Sequence, residues 1–239
     1  MSNINKIKKV YPKDLQALLG FNESLLITAS KPVTVWRVEY VDEPIFRYIY
    51  RNFKPKRHLE FGTWQGAGTF LCLDECTATV WTINLPLGEE SAGYSVNPEE
   101  YFSVSKWADY VKLDTKRTDT IGFIGRLYLE KGLGGRVCQI YSDTRDWDIS
   151  NYPNDFFDTV LIDGAHTEEL VINDTKKALS LLRSKGIVMW HDFCPEIEKE
   201  CSNTIGIHRA IEKIYDILSN ELSDIFWIYP SWILLGVKK

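Results

Sequence analysis

The sequence feature that most constrains the fold is a glycine-rich turn within residues 57–70, which read RHLEFGTWQGAGTF. Apolar Leu59 and Phe61 flank Glu60 in an alternation that is typical of a short strand. Three glycines follow, at Gly62, Gly66 and Gly68. Glycine permits positive φ angles and a close approach of the backbone to a ligand. The segment therefore predicts a strand, a ligand-binding turn and a helix beginning at Thr69, whose free N–H groups would face the ligand.

The spacing of this turn argues against a dinucleotide. It reads E-x-G-x-x-x-G-x-G, with a wider gap between its first two glycines than the dinucleotide fingerprint G-x-G-x-x-G. The carboxylate of Glu60 would repel a pyrophosphate, but it suits a cationic or hydroxyl-rich ligand. A bulky side chain at Gly62 is expected to block that ligand while leaving the domain folded.

Composition limits the class of protein. A length of 239 residues with 44% hydrophobic content fits a single α/β domain spanning 1–239. A net charge of -5 argues against a broad nucleic-acid-binding face. The sequence contains no apolar run long enough for a membrane span and no signal-peptide pattern, so we expect a cytoplasmic protein. The 5 cysteines, mostly in apolar contexts, are expected to be free thiols.

Two segments have no evident place in a catalytic core. Residues 1–55 form an N-terminal extension with helices predicted over residues 12–19 and 42–52. This extension could cap the sheet, cover the substrate or form a homo-oligomer interface, or it could only pack. Residues 86–115 lack periodicity and are rich in aromatic residues, so they are a candidate lid or substrate loop.

Beyond the turn, predicted strands and helices alternate. The strands cover residues 77–85, 136–143, 156–164 and 186–193, with two more within 225–237. The helices cover residues 69–75, 119–131, 168–183 and 207–218. Such alternation predicts a doubly wound, Rossmann-like α/β fold with a mainly parallel sheet of seven strands. The last two strands turn at Pro230 and Ser231 to form a C-terminal antiparallel hairpin.

Polar residues stand at the carboxyl ends of five predicted strands. They are Glu60, Asn84, Asp143, Asp163 and Asp192. Ligands of open α/β sheets bind at this edge, so we expect these side chains to line a site. Two alternatives remain: Asp163 could cap the helix that follows it, and His191 could hydrogen-bond within the loop 193–206.

These motifs together resemble a known family. The glycine turn resembles motif I of the class I S-adenosylmethionine (SAM)-dependent methyltransferases. The segment 157–166, FDTVLIDGAH, followed by Asp174, Gly186 and residues 191–193, resembles the bacterial small-molecule O-methyltransferases of the macrocin and mycinamicin sugar type. The resemblance covers residues 57–212. It implies the class I methyltransferase fold and methyl transfer from SAM to a hydroxyl of a small molecule, such as a sugar or glycan precursor.

The resemblance also implies a cofactor site. The matching residues are Glu60, Gly62, Thr63, Gly66, Gly68, Asn84, Asp143 and Asp163. Glu60 and the glycines match the methionine and ribose site, and Asp143 matches the acid that accepts from the adenine amino group. Asn84 stands where most relatives carry an acid that binds the ribose hydroxyls. An amide can still accept one hydrogen bond and donate others there.

A divalent metal and a base complete the implied site. Asp163 and Asp192 match metal ligands, and His191 occupies a position where relatives often carry Asp or Glu. His166 matches the catalytic base. Magnesium prefers oxygen ligands, whereas an imidazole ligand shifts the preference towards manganese or zinc, so the metal could be any of the three.

Two functions of other classes remain open from the sequence. A nicotinamide-dependent oxidoreductase could share the fold, although the glycine spacing speaks against it. A catalytically silent cofactor-binding protein is the other alternative. Asn84 leaves it open, whereas intact Asp163, His166 and Asp192 argue against it.

Overall fold

The computed structural model describes residues 2–31, 41–86, 89–91, 94–95, 124–197 and 202–239. Its strands are β1 (Lys8–Val10), β2 (Arg57–Phe61), β3 (Thr79–Asn84), β4 (Glu90–Ser91), β5 (Tyr94–Ser95), β6 (Val137–Tyr141), β7 (Phe157–Ile162), β8 (Leu182–Trp190), β9 (Leu222–Ile228) and β10 (Ile233–Lys238). Its helices are α1 (Leu15–Leu19), α2 (Asp42–Phe53), α3 (Ala67–Glu75), α4 (Arg126–Glu130), α5 (Glu168–Leu181) and α6 (Ser202–Glu221).

Within the described residues, the central sheet has eight strands in the order β1-β9-β10-β8-β7-β2-β3-β6. Strands β8, β7, β2, β3 and β6 run parallel to one another. Strand β10 is antiparallel to both β8 and β9, which confirms the predicted C-terminal hairpin. The chain moves outward from β2 through β3 to β6 and then returns to β7 on the other side of β2. Strands β2 and β7 therefore flank the switch point at which open α/β sheets bind ligands.

The sheet has one strand more than the predicted seven. Strand β1, which lies in the N-terminal extension, pairs parallel with β9 and covers what would otherwise be the edge of the sheet. A three-residue strand with two lysines has no alternating pattern, which is why the sequence did not predict it.

The core explains why the middle of the sheet is rigid. All six residues of β7 are buried, and side chains alternate between the two faces of a strand. Val160 accordingly packs in one hydrophobic cluster and its neighbour Leu161 in a second. Ile45 and Ile49 of α2 belong to the second cluster, so α2 is anchored on one face of the sheet.

Several predicted elements differ in extent. The helix predicted over residues 12–19 is a 3-10 turn (Pro12–Asp14) followed by α1, and it ends at Gly20 as expected. The predicted helix 119–131 is described only as α4, because residues 119–123 lie outside the described residues. The same holds for most of the candidate lid, of which β4 and β5 form a small antiparallel hairpin. Among the described residues, no helix is long and apolar enough to cross a bilayer.

Candidate functional site

The glycine turn leaves β2 and crosses the end of β3 before α3 begins. Gly62 has φ 96° and donates its N–H to the carbonyl oxygen of Ile83 at 2.9 Å. Trp64 also has a positive φ, of 43°, and Gly66 at φ 87° is the N-cap of α3. Helix α3 begins at Ala67, two residues earlier than predicted. The turn therefore leads directly into a helix N-terminus, as the sequence predicted.

Glu60 supports the turn from below. Its carboxyl group is buried and accepts hydrogen bonds from the hydroxyl groups of Thr69 and Thr82. Gly68 lies so close that a Cβ there would overlap Glu60 Oε1. Burial raises the pKa of Glu60 to about 8, and the two hydroxyl groups offset this only in part. Glu60 thus binds within the protein and connects β2, β3 and α3.

Two other predicted cofactor residues also brace the turn. Thr63 is buried, and its Oγ1 lies 2.7 Å from Thr82 Oγ1 and accepts from Gln139 Nε2 at 2.9 Å. Asn84 Oδ1 accepts from the N–H of Trp64 at 2.9 Å. These side chains fix the shape of the turn, and the N–H groups of Gly62, Trp64 and Gly66 also bond within the protein.

Asp143 lies just beyond β6. Its carboxylate accepts from the backbone N–H of Arg145 at 2.8 Å and from Arg145 Nη2 at 2.8 Å. Lys177 of α5 holds the same loop, donating to the carbonyl oxygens of Thr144 at 2.5 Å and Trp147 at 2.7 Å. Asp143 is therefore held by Arg145 in a loop that begins next to the end of β3, where the N–H of Ser142 donates to Asn84 O at 3.0 Å.

The remaining predicted residues meet at the ends of β7 and β8. The N–H of Asp163 donates to Phe61 O at 2.9 Å, and the N–H of His191 donates to Ile162 O at 3.1 Å, so the sheet ladder places both residues. His191 Nδ1 lies 3.1 Å from Asp163 Oδ1 and 3.6 Å from Asp192 Oδ1. Ligand atoms of the three residues lie within 4.8 Å of one another. We call Asp163, His191 and Asp192 the strand-end cluster.

His166 joins this cluster from the loop after β7. Its Nε2 lies 2.6 Å from Asp192 Oδ2, so Asp192 faces His191 through one oxygen atom and His166 through the other. Asp192 has a left-handed φ of 58°, a conformation that aspartate tolerates better than most residues and that often occurs at functional sites. The structure thus brings together all four residues predicted for the metal and the base.

The cluster is electrostatically coupled. Burial lowers the pKa of His191, but the carboxylates of Asp163 and Asp192 outweigh burial and hold the pKa well above its usual value. The pKa of His166 is raised for the same reason, with Asp192 as the main partner. Burial would raise the pKa of Asp192, yet the two imidazoles hold it below its usual value. The acids and histidines therefore compensate one another's charge.

The capping alternative for Asp163 does not describe the structure. Thr167 is the N-cap of α5, with Oγ1 accepting from the N–H of Leu170 at 3.4 Å, so Asp163 is not needed as a cap. His191 bonds to Asp163 and to Asp42 of α2, and the loop 193–206 of its alternative lies partly outside the described residues. Asp163 and His191 thus meet at the ligand edge of the sheet.

Sequence reasoning missed one member of this site, Asp42. Its Oδ2 lies 3.1 Å from His191 Nε2, although the two residues are 149 positions apart. An acidic residue at the start of a helix is already explained by its favourable interaction with the helix dipole, so the sequence gives no reason to expect a second role. The sequence also does not show that Asp42 is buried, and in the structure it is only 4% exposed.

The turn and the strand-end cluster form one continuous site. A Cβ added to Gly62 would overlap the carbonyl oxygen of Asp163, and Gly164 Cα lies almost as close. The cluster's donor set of two carboxylates and one imidazole fits a divalent transition metal. A ligand on the turn would therefore lie beside a metal at the cluster.

Comparison with known proteins identifies the family. A family model described as a methyltransferase domain matches residues 59–193, more than half of the chain. No curated protein matches the sequence.

Similar solved structures include an O-methyltransferase from Bacillus cereus in complex with S-adenosylhomocysteine (SAH), with a TM-score of 0.54 and 16% identity over 87% of this chain and 84% of that chain. An SAH-bound methyltransferase from Podospora anserina has a TM-score of 0.53 and 13% identity over 86% and 80%. A SAM-bound O-methyltransferase of tomaymycin synthesis from Streptomyces achromogenes has a TM-score of 0.50 and 12% identity over 99% and 89%. At such identities the likeness is one of fold, and it matches the predicted class I methyltransferase fold.

Gly62 gives a first testable prediction. We expect Gly62→Ala to destabilise the protein by several kcal/mol, because the new Cβ meets the backbone of Asp163 and the positive φ adds about 1–2 kcal/mol. The sequence alone predicts instead that a larger side chain at Gly62 blocks the ligand and leaves the domain folded. The matched control is Gly132→Ala. Gly132 has φ 71° and open space where a Cβ would lie, so this variant should lose only the stability that the positive φ costs. Denaturant unfolding measures both, and equal losses would contradict the close contact.

Proposed function

Because the chain belongs to the methyltransferase-domain family, we propose that it transfers the methyl group of SAM to a hydroxyl group of a small molecule with the help of a divalent metal. The observation that carries the proposal is the contact between the glycine turn and the strand-end cluster. A methyl donor on the turn and an acceptor at the cluster would be neighbours, as a direct transfer between them requires.

The turn supports the assignment of SAM. Its backbone is held open by Glu60, Thr63 and Asn84 from within the protein, and it leads into the N-terminus of α3. The carboxylate of Asp143 follows β6 at the ligand edge of the sheet, where it would accept from the adenine amino group of a cofactor lying across β2, β3 and β6. Two of the solved structures of similar fold hold SAH and a third holds SAM, which agrees with this cofactor.

The cluster supports a metal-assisted reaction at oxygen. When bound, a divalent metal acts as a Lewis acid and lowers the pKa of a coordinated hydroxyl group. Asp163 and Asp192 would hold it through oxygen atoms and His191 through Nδ1. Two carboxylates this close repel each other, and a cation between them relieves that repulsion. Manganese or zinc suits the imidazole ligand better than magnesium.

His166 supports general-base catalysis. Its Nε2 lies 2.6 Å from Asp192 Oδ2, and in the neutral tautomer that donates from Nε2 to this carboxylate it is Nδ1 that carries the lone pair. A carboxylate that orients a histidine in this way is a recurring catalytic arrangement. The side chain of His166 is 20% exposed, so an acceptor hydroxyl could reach it.

The acceptor class depends on the resemblance to sugar O-methyltransferases in residues 57–212. A hydroxyl group is a weak nucleophile while protonated. A base beside a metal can remove this proton and so activate the hydroxyl group. We therefore propose a sugar or glycan precursor as the acceptor class. Membership in a methyltransferase family speaks against an oxidoreductase, and the intact pairing of His166 with Asp192 speaks against a silent binding protein.

The cofactor is tested by calorimetry of the full chain with SAH and, separately, with NAD. We expect SAH to bind and NAD to give no heat, because the turn lacks the dinucleotide spacing. Asp143→Ala should weaken SAH binding by about tenfold, the usual worth of one or two hydrogen bonds. The exposed neighbour Asp146 supplies the control Asp146→Ala, which should bind as the wild type does. Binding of NAD without SAH would favour the oxidoreductase.

The metal is tested by chelation. Methyl transfer from radiolabelled SAM to a panel of sugars and other hydroxylated acceptors should be lost after exhaustive chelation and return with Mn²⁺. Asp163→Asn should not respond to Mn²⁺, because one ligand oxygen is lost. Asp224→Asn, an exposed change on β9, serves as the control and should behave as the wild type. Full activity of the chelated protein would contradict metal assistance.

The base is tested by comparing two variants of His166. His166→Ala should lower turnover by about 10²–10⁴ at saturating SAM and Mn²⁺, while SAH affinity changes little. His166→Gln keeps a donor for Asp192 but cannot accept a proton, so it should be equally slow. Near-normal turnover of the glutamine variant would mean that His166 only positions Asp192.

A further inference from the structure

We propose that Asp42 is a positioning residue that fixes the tautomer of His191, so that the Nδ1 lone pair faces the metal and Nε2 carries the proton. The inference deepens the proposed metal site and rests on it. It also assigns a role to the N-terminal extension, because Asp42 is the first residue of α2.

The geometry divides the two ring nitrogens of His191 between two surroundings. Nδ1 faces the cluster, at 3.1 Å from Asp163 Oδ1 and 3.6 Å from Asp192 Oδ1. Nε2 points the other way, at 3.1 Å from Asp42 Oδ2. Both His191 and Asp42 are buried, at 3% and 4% exposure, so neither ring nitrogen can exchange its partner for bulk water. Nδ1 is thus the only nitrogen of this ring on the side of the metal.

Asp42 itself has no freedom to turn. Its second oxygen, Oδ1, accepts from the backbone N–H of Trp232 at 3.1 Å. Trp232 lies in the connection between β9 and β10, and its carbonyl oxygen accepts from the N–H of Phe193 at 3.0 Å. The carboxylate is therefore fixed between the C-terminal hairpin and the ring of His191.

Helix α2 also packs an aromatic ring against the imidazole. Phe46, one helical turn after Asp42, is buried with its ring centre 5.9 Å from that of His191. Residues four apart lie on the same face of a helix, so one face of α2 supplies both an acceptor and an apolar wall. Ile45 and Ile49 anchor the same helix in the core.

Two acceptor oxygen atoms are needed at this position, one for the N–H of Trp232 and one for Nε2 of His191. A histidine that ligates a metal usually donates its other N–H to a carboxylate or carbonyl group, which sets the tautomer and makes the ligand nitrogen more basic. Asp42 can accept from Trp232 and His191 together. An asparagine has one acceptor oxygen, so its NH₂ group would face either the Trp232 N–H or His191 Nε2.

Asp42→Asn therefore has a defined effect. If the amide oxygen keeps the buried Trp232 N–H, the NH₂ group faces Nε2 and forces the proton onto Nδ1, where it blocks the metal. The variant should bind Mn²⁺ about 10- to 100-fold more weakly, as expected when the partner of a ligating histidine is lost. Mg²⁺, which is satisfied by carboxylates and water, should lose less than about threefold.

Calorimetry measures the binding of Mn²⁺ and, separately, of Mg²⁺ to the metal-free full chain. The proteins compared are the wild type, Asp42→Asn and two controls. Glu43→Gln changes the neighbouring acid, whose carboxylate accepts from Arg47 at 2.7 Å, and should bind Mn²⁺ as the wild type does. Asp163→Asn removes a proposed ligand and should bind neither metal well. Near-ultraviolet circular dichroism of each variant checks that the fold is intact.

The outcomes separate the two proposals. If Asp163→Asn binds Mn²⁺ normally, the metal site itself is wrong. If Asp163→Asn loses Mn²⁺ while Asp42→Asn keeps it, the metal site stands and the role of Asp42 is overturned. Equal losses of Mn²⁺ and Mg²⁺ affinity in Asp42→Asn would also overturn it, because that pattern indicates a general disturbance.

A measurement on the wild type covers the case in which Asp42→Asn does not fold. Long-range ¹H–¹⁵N spectra of the zinc-loaded protein report which nitrogen of each histidine carries a proton. We expect His191 to be protonated at Nε2 and metal-bound at Nδ1. A proton on Nδ1, or zinc bound at Nε2, would contradict the proposal.

Discussion

The site depends on the burial of one imidazole ring between carboxylates from different parts of the chain. His191 is 3% exposed and lies 3.1 Å from both Asp42 and Asp163. A buried charge is tolerated only when it is paired and hydrogen-bonded, so this ring holds α2 and the ends of β7 and β8 in one arrangement. The N-terminal extension is therefore part of the site.

The sheet order brings this cluster and the glycine turn together. Strands β2 and β7 are neighbours, and the chain winds in opposite directions from them. Gly62 at the end of β2 consequently lies against the backbone of Asp163 at the end of β7, close enough to exclude any side chain. One side of the junction can hold a methyl donor and the other can hold a metal and an acceptor. The proposed reaction follows from this adjacency more than from any single residue.

The sequence predicted those parts of the site that depend on local pattern. The glycine turn, the strand-end acids and the C-terminal hairpin each have a short signature, and all are present. Strand β1 has no such signature, and its pairing with β9 depends on residues more than 200 positions away. Asp42 was missed for the same reason, because only the folded chain shows that it meets His191.

Local pattern also could not predict where some side chains bind. Glu60 and Asn84 are predicted to contact the cofactor, and their oxygen atoms also accept from Thr69, Thr82 and the N–H of Trp64. These bonds to neighbouring strands have no signature in the sequence, and the contact with the cofactor stays a prediction. The candidate lid within 86–115 lies mostly outside the described residues, so its role stays a prediction.

The most direct test is a crystal structure of the full chain soaked with SAH and Mn²⁺, with anomalous scattering recorded for manganese. We predict SAH on the glycine turn and one manganese peak bound by Asp163, Asp192 and Nδ1 of His191. Nε2 of His191 should still donate to Asp42. SAH bound without any manganese peak at these residues, or a peak on other ligands, would contradict the proposed site.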